Sequence, residues 1–329
     1  MAAARHYIAA QFSLGLVFCL LFSQASFGQS FVEKNFKNEL SVTSFNDNYA
    51  PPFKDRYFTN GLKITFSRAA KAHLFRRIAK NRESAKSITR YSISHEIYTP
   101  ENITEEDPLT YDRPYAGYLF SNLTVDTFWE SRNSLRLSID TGVIGPMAGG
   151  GRVQAGWHKI INQEQPEGWK DQIGNVPVIN FGIRYGRSWT LSQKFDVIST
   201  AGAVTGTGFN NLFAGITVRT GEIRPMDRSA ITGSLADKNS VSHYHENEWY
   251  LLFGVKNSFV IHNTLIEGNL FRPSANAHTE ASESYLLDVT AGFAYSTKAV
   301  TWKATMHRLS PEVVDGGNHT YASLEMAVR

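Results

Sequence analysis

Oxygen-bearing side chains of the kind that a hard cation binds lie near the start of the chain. Asn46 and Asp47 end one candidate strand, and Thr59 and Gly61 begin the next. Asp47, Thr59 and Gly61 occupy odd positions, which we assign to the interior of the sheet, so we expect them to converge. Carboxylate, amide and hydroxyl oxygens beside a glycine backbone suit Ca²⁺. The pattern indicates a cation site.

A histidine further along the chain could add base chemistry to this site. His158 lies on a predicted helix from Gly151 to Gln163, and Glu164 follows it. A neutral imidazole near a cation can take a proton from water, while the cation and backbone N–H groups stabilise an ester oxyanion. The alternative is structural, with turn residues at the strand ends and His158 capping a helix. Spacing alone favours the structural alternative.

Other common chemistries have little support in the sequence. It contains no Gly-x-Ser-x-Gly elbow, His-Glu-x-x-His zinc helix or phosphate loop. The run His-Tyr-His-Glu at 243–246 could be read as a metal cluster, but we place it on the opposite rim of the fold. The formal net charge of +3 gives no reason to expect nucleic acid binding.

The first 28 residues have the features of a secretory signal peptide. Arg5 precedes a mostly apolar stretch from Tyr7 to Phe22, and small residues at 26 and 28 offer a cleavage site. The only cysteine, Cys19, lies in this segment, so the mature protein is expected to have neither a disulfide nor a thiolate nucleophile. We expect one exported domain over residues 29–329.

Apolar and polar residues alternate along the rest of the chain. No apolar run is long enough for a membrane helix, so a bilayer-spanning form must be a closed sheet. A soluble sandwich also alternates. The export signal, an even number of segments and aromatic residues near strand ends favour a barrel. These aromatic residues are Tyr118, Phe128, Trp129, Trp189, Trp249, Tyr250 and Tyr321.

The sequence therefore predicts an all-β fold, a twelve-stranded antiparallel transmembrane β-barrel with a short helix in an extracellular loop. The predicted strands are 38–47, 59–67, 89–98, 116–128, 132–144, 176–189, 193–205, 208–220, 248–259, 283–296, 299–309 and 319–328. Most long connections fall on one rim, which should be extracellular. Two exceptions, 68–88 and 221–247, lie on the other rim, and we interpret the first as a solvated basic turn.

The predicted helix carries one apolar stripe. Val153, Trp157, Ile160 and Ile161 recur at helical spacing. We expect this stripe to pack on the rim of the barrel.

Several stretches of this sequence resemble the outer-membrane lipid A deacylase family (LpxR-like proteins). They cover roughly residues 38–190, and the block from Gly142 to Ile173 is the most specific. The matching stretches are Asn46-Asp47, Tyr57 to Leu62, Ile97 to Pro100, Asp112-Arg113, Thr141 to Pro146, Ala148 to Gly150, His158 to Ile161 and Trp169 to Ile173.

The resemblance implies an outer-membrane enzyme whose active site lies between the barrel wall and a loop helix. The enzyme would hydrolyse the 3′-linked acyloxyacyl ester of lipid A in lipopolysaccharide, with Ca²⁺ as activator. His158 would be the general base for water. Asp47, Asn46 and Glu164 would bind the cation or orient the histidine. Thr59 and the Gly61 backbone would position the ester or its oxyanion.

One matching loop departs from the family pattern. Where active members have a basic pair suited to phosphate, this chain has Thr104-Glu105-Glu106-Asp107. Phosphate recognition would then use Arg113, Lys54, Arg56 or Arg152, or the substrate would differ. A second hypothesis is a barrel without catalysis, with a structural, adhesive or small-solute channel role. The sequence leaves the oligomeric state open.

Overall fold

The computed structural model describes residues 36–53, 55–71, 86–237, 247–272 and 277–329, which form one closed antiparallel barrel. Each strand pairs with its neighbours in the chain, and β1 pairs with β12 to close the ring. The strands are β1 (Asn38–Asn46), β2 (Tyr57–Lys71), β3 (Lys86–Thr99), β4 (Ala116–Trp129), β5 (Asn133–Ile144), β6 (Val176–Ser192), β7 (Phe195–Gly206), β8 (Phe209–Glu222), β9 (Glu248–Asn263), β10 (Tyr285–Ser296), β11 (Val300–Leu309) and β12 (His319–Val328).

Two helices lie in the loops of the described residues: α1 (Gly150–Ile161), between β5 and β6, and α2 (Thr264–Glu267), after β9. Neither is long and apolar enough to cross a bilayer. The twelve-stranded antiparallel prediction is confirmed, and the strand ends differ from the predicted ones by no more than four residues. The predicted signal peptide, the centre of the basic turn, Lys54 and the whole 243–246 run lie outside the described residues.

The two faces of each strand follow the predicted alternation. On β2, Leu62, Ile64 and Phe66 are exposed on the outer face of the wall, whereas Thr65 and Ser67 point inward and are buried. The outer faces of the other strands carry a similar set of exposed apolar side chains. This apolar belt includes Ile93, Leu119, Leu123, Phe181, Ile183, Ile216, Phe253, Val255, Phe293 and Leu324. Such a belt is the surface that a membrane barrel presents to acyl chains.

The predicted aromatic girdle is only partly correct. Trp189 and Trp249 are exposed on the outer face, as predicted. Tyr118, Phe128 and Tyr250 are buried, because they occupy inward positions of their strands. Proximity to a strand end does not reveal which face a ring occupies, and large side chains also fill the lumen.

The segment after β8 folds into the lumen on the rim opposite to α1. Arg90 on β3 donates to the carbonyls of Thr232 and Gly233, at 2.6 and 2.9 Å. On the other side of the ring, Glu248 of β9 accepts from the backbone N–H of Ala230 at 2.8 Å. Strands β3 and β9 are diametrically opposite in the strand order. The segment therefore bridges the lumen, which the sequence analysis, placing it only as a long connection on this rim, did not predict.

A buried charge network holds this plug segment. Arg219 makes two hydrogen bonds to Asp196, at 2.6 and 2.9 Å, and one to the Ser229 hydroxyl at 2.7 Å. Ser229 also donates to Glu248 at 2.6 Å. Arg219 and Glu248 are fully buried, so each needs the other charges to offset its desolvation.

Removing the cation of this network should weaken the fold. Arg219→Met leaves Asp196 and Glu248 buried without their partner, and we expect a loss of about 3 to 5 kcal/mol of unfolding free energy. Urea unfolding in detergent micelles, followed by gel mobility, measures it. The control is Lys194→Met, which breaks an exposed ion pair with Glu222 and should change little. Equal midpoints for the two variants would contradict the role of the network.

Candidate active site

Helix α1 packs on the outer surface of the barrel wall. His95 Nε2 lies 3.0 Å from the Ala148 carbonyl oxygen, and His95 shares the outward face of β3 with exposed Ile93. A Cβ on Gly117 of β4 would lie 3.0 Å from the Gly150 nitrogen. The two glycines therefore allow direct backbone contact between helix and wall. The region between α1 and the wall is outside the lumen.

The apolar stripe of α1 is only partly turned toward the barrel, so that prediction is partly wrong: Trp157 and Ile161 are half-buried, but Val153 and Ile160 are exposed. The buried residues of the helix are Gly150, Gln154 and His158, whereas Val153 is 52% exposed and Ile160 is 76% exposed. The stripe criterion assumes that a helix buries its apolar side. Here the side toward the wall carries polar groups and glycines.

A tryptophan on the returning loop fixes the position of α1. The Trp169 indole N–H donates to Gln154 Oε1 at 2.8 Å, and its ring lies against Gly150, where a Cβ would come within 2.8 Å. The ring also packs on Tyr115, with centroids 5.1 Å apart. Asn162 ends the helix in a left-handed conformation, with φ at 54°. These contacts explain why the resemblance is strongest over this block.

Both ring nitrogens of His158 have acceptors. Nδ1 lies 2.5 Å from the backbone carbonyl oxygen of Glu164, and Nε2 lies 2.9 Å from Asp55 Oδ2. A carbonyl oxygen only accepts, so Nδ1 carries a hydrogen. The neutral form of the ring then has its lone pair on Nε2.

Asp55 makes His158 a stronger base. Burial lowers the pKa of His158, but the hydrogen bonds to Asp55 and to the Glu164 carbonyl, with the charge of Asp55, outweigh burial. The pKa of the imidazole is therefore raised above its usual value. The contact between Nε2 and Asp55 is the ion pair that forms once the ring has taken a proton.

Asp55 also connects His158 to the end of β1. Its carboxylate accepts from the side-chain amide of Asn48, and the next residue, Arg56, donates its backbone N–H to Asp47 Oδ2 at 2.7 Å. His158 and Asp47 are thus held together through two adjacent residues of the loop before β2. The link between the histidine and the strand-end carboxylate runs through Asp55, which the sequence analysis did not select.

Asp47 is a buried carboxylate with one oxygen left unsatisfied. Its Oδ1 has no hydrogen-bond partner within the part of the chain that the structure describes. Burial raises the pKa of Asp47 well above its usual range, and the nearby charge of Asp55 raises it further. A bound cation would remove both penalties. The donor set at this position therefore fits a hard cation such as Ca²⁺.

Carboxylates alone would not complete such a site. Among the described residues, no group of three or more His, Cys, Asp and Glu side chains is placed to hold a metal ion. Ca²⁺ also accepts amide and backbone oxygens and water. Two carboxylates can therefore bind it when such oxygens complete the coordination. The carboxylate of Glu164 is exposed, and its backbone carbonyl is the group that contacts His158.

Thr59 lies on the helix side of the wall because of a β-bulge. The register between β2 and β3 shifts between Phe58 and Asn60, which makes Thr59 the extra residue. Its hydroxyl is 2.7 Å from that of Thr99, on the outward face of β3. The alternation rule predicted an inward side chain, and it fails because it assumes a regular strand.

Gly61 has a packing role in the described fold. It pairs with Phe45 and Glu96 within the sheet. A Cβ on Gly61 would lie 2.9 Å from the ring of Phe58. Glycine is therefore needed to accommodate that ring, and the contact of its backbone with an oxyanion stays a prediction.

The arginines predicted to bind substrate have different environments. Arg113 is fully buried, bonded to Glu312 at 2.5 Å and stacked over Tyr98, which points into the lumen. Arg113 thus forms one half of a buried ion pair, and its Nε and Nη2 have no partner among the described residues; its role in substrate binding stays a prediction. Arg152 is exposed, and with Lys170 it lines an open cavity of about 400 Å³ at the start of α1.

The loop with the acidic stretch forms a second cavity of about 400 Å³. Glu101, Glu105 and Asp112 line it. The basic pair expected from the resemblance is thus replaced by an acidic surface. Positive groups that could meet a phosphate lie instead at the start of α1.

Three residues that contact the candidate site were missed: Asp55, which contacts His158, Asn48, which contacts Asp55, and Thr99, which contacts Thr59. Asp55 follows two prolines in a loop, where an acidic residue is common, so its type carries no signal. Only the path of the loop brings it to His158.

Comparisons with known proteins agree with this geometry. The model of the family described as Outer membrane protein LpxR matches residues 14–329. LpxR from Salmonella typhimurium is 20% identical with a TM-score of 0.70, over 88% of this chain and 99% of that one. That likeness concerns the fold. A search of curated protein sequences found no match.

Two autotransporter barrels are less similar. The β domain of BrkA from Bordetella is 9% identical with a TM-score of 0.48, over 89% of this chain and 99% of that one. The transport unit of AIDA-I from Escherichia coli is 9% identical with a TM-score of 0.44, over 92% and 93%. Neither supports a functional argument. The family model spans the barrel and the α1 loop, and the chain belongs to the outer membrane protein LpxR family.

Proposed function

We propose that this chain is an outer-membrane lipid A deacylase that hydrolyses a 3′-linked acyl ester of lipid A. The observation that carries the proposal is the buried pair of His158 and Asp55 beside the unsatisfied carboxylate of Asp47. These groups lie on the outer side of the wall, where a lipid substrate can reach them from the membrane. Family membership supports the same activity.

His158 is the base in the proposed reaction. Water, bound beside Nε2 in place of Asp55, attacks the ester carbonyl carbon and gives its proton to Nε2, while Nδ1–H remains hydrogen-bonded to the Glu164 carbonyl. The imidazolium that forms is balanced by Asp55, in the arrangement the coordinates have. When the tetrahedral intermediate collapses, the C–O bond breaks and the sugar alkoxide takes the proton from His158. The products are a fatty acid and a free hydroxyl.

Asp47 and Asp55 would hold the cation, with oxygens such as the side chain of Asn46. Ca²⁺ bound there would supply Lewis-acid stabilisation of the ester oxyanion. The Thr59 hydroxyl, bonded to Thr99, would position the ester. The exposed carboxylate of Glu164 could join the cation through water.

The headgroup phosphate of lipid A would bind at Arg152 and Lys170. Both line the open cavity beside the Gly149 and Gly151 backbone at the start of α1. Backbone N–H groups at a helix start favour anions. Arg152 and Lys170 would thus take the role of the basic pair that the acidic loop 104–107 lacks.

The channel hypothesis is disfavoured by the plug segment. Hydrogen bonds from Arg90 and Glu248 anchor that segment on opposite walls of the lumen. An open pore needs a free path through the lumen, and these contacts obstruct it.

Removing the base should abolish deacylation. We expect His158→Ala to lower the rate about 10²- to 10⁴-fold, the usual contribution of a general base. Mass spectrometry of lipid A incubated with purified protein, with Ca²⁺ or with a chelator, measures it. The matched control is His307→Ala, a lumen histidine paired with Asp288 at 3.2 Å. Full activity of His158→Ala would contradict the assignment.

The pH profile tests the partnership with Asp55. Because the charge and hydrogen bond of Asp55 raise the pKa of His158, Asp55→Asn should lower that pKa. The base is active when neutral, so the acid limb of kcat/KM should move to lower pH, while kcat falls. The measurement is a pH–rate profile at saturating Ca²⁺. If the acid limb of Asp55→Asn stayed at the same pH, Asp55 would not be the residue that raises the pKa of His158.

Charge reversal tests the phosphate site. Arg152→Glu combined with Lys170→Glu should raise KM for phosphorylated lipid A, because both cations that line the cavity are lost. KM for a dephosphorylated lipid A should change little. Lys298→Glu, exposed on the opposite rim, is the control. Equal KM changes for both substrates would place phosphate recognition elsewhere.

A further inference from the structure

The side of α1 turned away from the wall is divided into two chemically different flanks. At 100° per residue, Val153 and Ile160 share one flank, and Arg152 and Lys159 share the other. All four side chains are exposed. Neither flank belongs to the buried side of the helix, which carries Gly150, Gln154 and His158.

The start of α1 lies next to the apolar belt of the barrel. Gly150 is in backbone contact with Gly117 at the start of β4. Leu119 and Leu123 follow Gly117 on the same outward face and are about 40% exposed. The start of α1 therefore lies directly above the belt. Met147, just before α1, is 69% exposed and extends the apolar surface.

We propose that α1 is a membrane-interface helix whose Val153 and Ile160 flank contacts outer-leaflet acyl chains, while Arg152 and Lys159 contact the anionic headgroups. Amphipathic helices that lie in an interface have this division, with apolar side chains toward the acyl region and basic ones toward the phosphates. A surface helix in water would bury Ile160, which is 76% exposed here.

The division of charge favours lipid over a second copy of the chain. An isologous contact between two copies of this surface would bring Arg152 and Lys159 near their own counterparts, which is repulsive. Anionic headgroups above an acyl layer match both flanks at once. The inference concerns how the chain lies in the membrane and holds whether or not the proposed hydrolysis occurs.

Site-directed spin labelling tests the position of α1. Single cysteines are introduced at Val153→Cys and Ile160→Cys, and the matched controls on the same helix are Lys159→Cys and Gly156→Cys. Cys19 is the only native cysteine and is replaced by Ser. Each labelled protein is reconstituted in vesicles of phosphatidylethanolamine and phosphatidylglycerol, and collision rates with oxygen and with a water-soluble nickel chelate are compared.

We expect the oxygen-to-nickel collision ratio at 153 and 160 to be several-fold higher than at 159, because oxygen concentrates among acyl chains. Similar ratios at all positions would overturn the proposal. Spin–spin broadening at 160 that disappears on dilution with unlabelled protein would show a second copy there, and would overturn it as well.

A second readout separates this inference from the proposed function. Ile160→Glu should slow deacylation of lipid A in vesicles but not in detergent micelles, because only the vesicle requires α1 to enter a bilayer. Loss of activity in both would assign Ile160 to the site. If no variant deacylates, the collision ratios still decide the position of α1.

Discussion

Polar groups on the outer wall of a membrane barrel cannot face acyl chains without a partner. Asn46, Asp47, Thr59 and Thr99 are all buried at the level where β1 to β3 leave the apolar belt. Helix α1 covers this region, and its contact with the wall depends on Gly117 and Gly150 meeting without side chains. The other features of the site depend on this covering helix. The buried face of α1 supplies His158 and Gln154, and the remaining surface of the helix faces the surroundings.

Burial under α1 also determines how strongly the charges in the site interact. Two carboxylates, Asp47 and Asp55, lie close enough for the charge of one to raise the pKa of the other. His158 offsets one of them, and Asp47 Oδ1 stays unpaired among the described residues. A site with excess negative charge that is shielded from lipid is a place where a cation gains binding energy. The same excess makes the histidine a better base.

The sequence predicts the regular parts of this protein well. Alternation locates all twelve strands, because each strand has one face toward lipid and one toward a polar lumen. It fails where the backbone is irregular or where tertiary packing decides the environment. The bulge at Thr59 reverses its side, Val153 and Ile160 of the α1 stripe face outward, and the segment after β8 enters the lumen. Local patterns contain no information about these long-range contacts.

The candidate site was predictable in part. The strand-end residues Asn46 and Asp47 and the helix residue His158 could be chosen by type, and the resemblance joins them across more than a hundred residues. Asp55, which links them, could not be chosen, because its role depends on how the loop from Asn48 to Arg56 folds. The environment of Arg113 could not be predicted either. Its actual partner, Glu312, lies far away in the sequence.

The central claim is that this site directs water onto an acyl ester of lipid A. The most direct measurement is hydrolysis of purified lipid A in ¹⁸O-labelled water, with mass spectrometry of both products. The account predicts one ¹⁸O in the carboxyl group of the released fatty acid and none in the deacylated sugar. Absence of any released fatty acid, or label on the sugar hydroxyl, would contradict it.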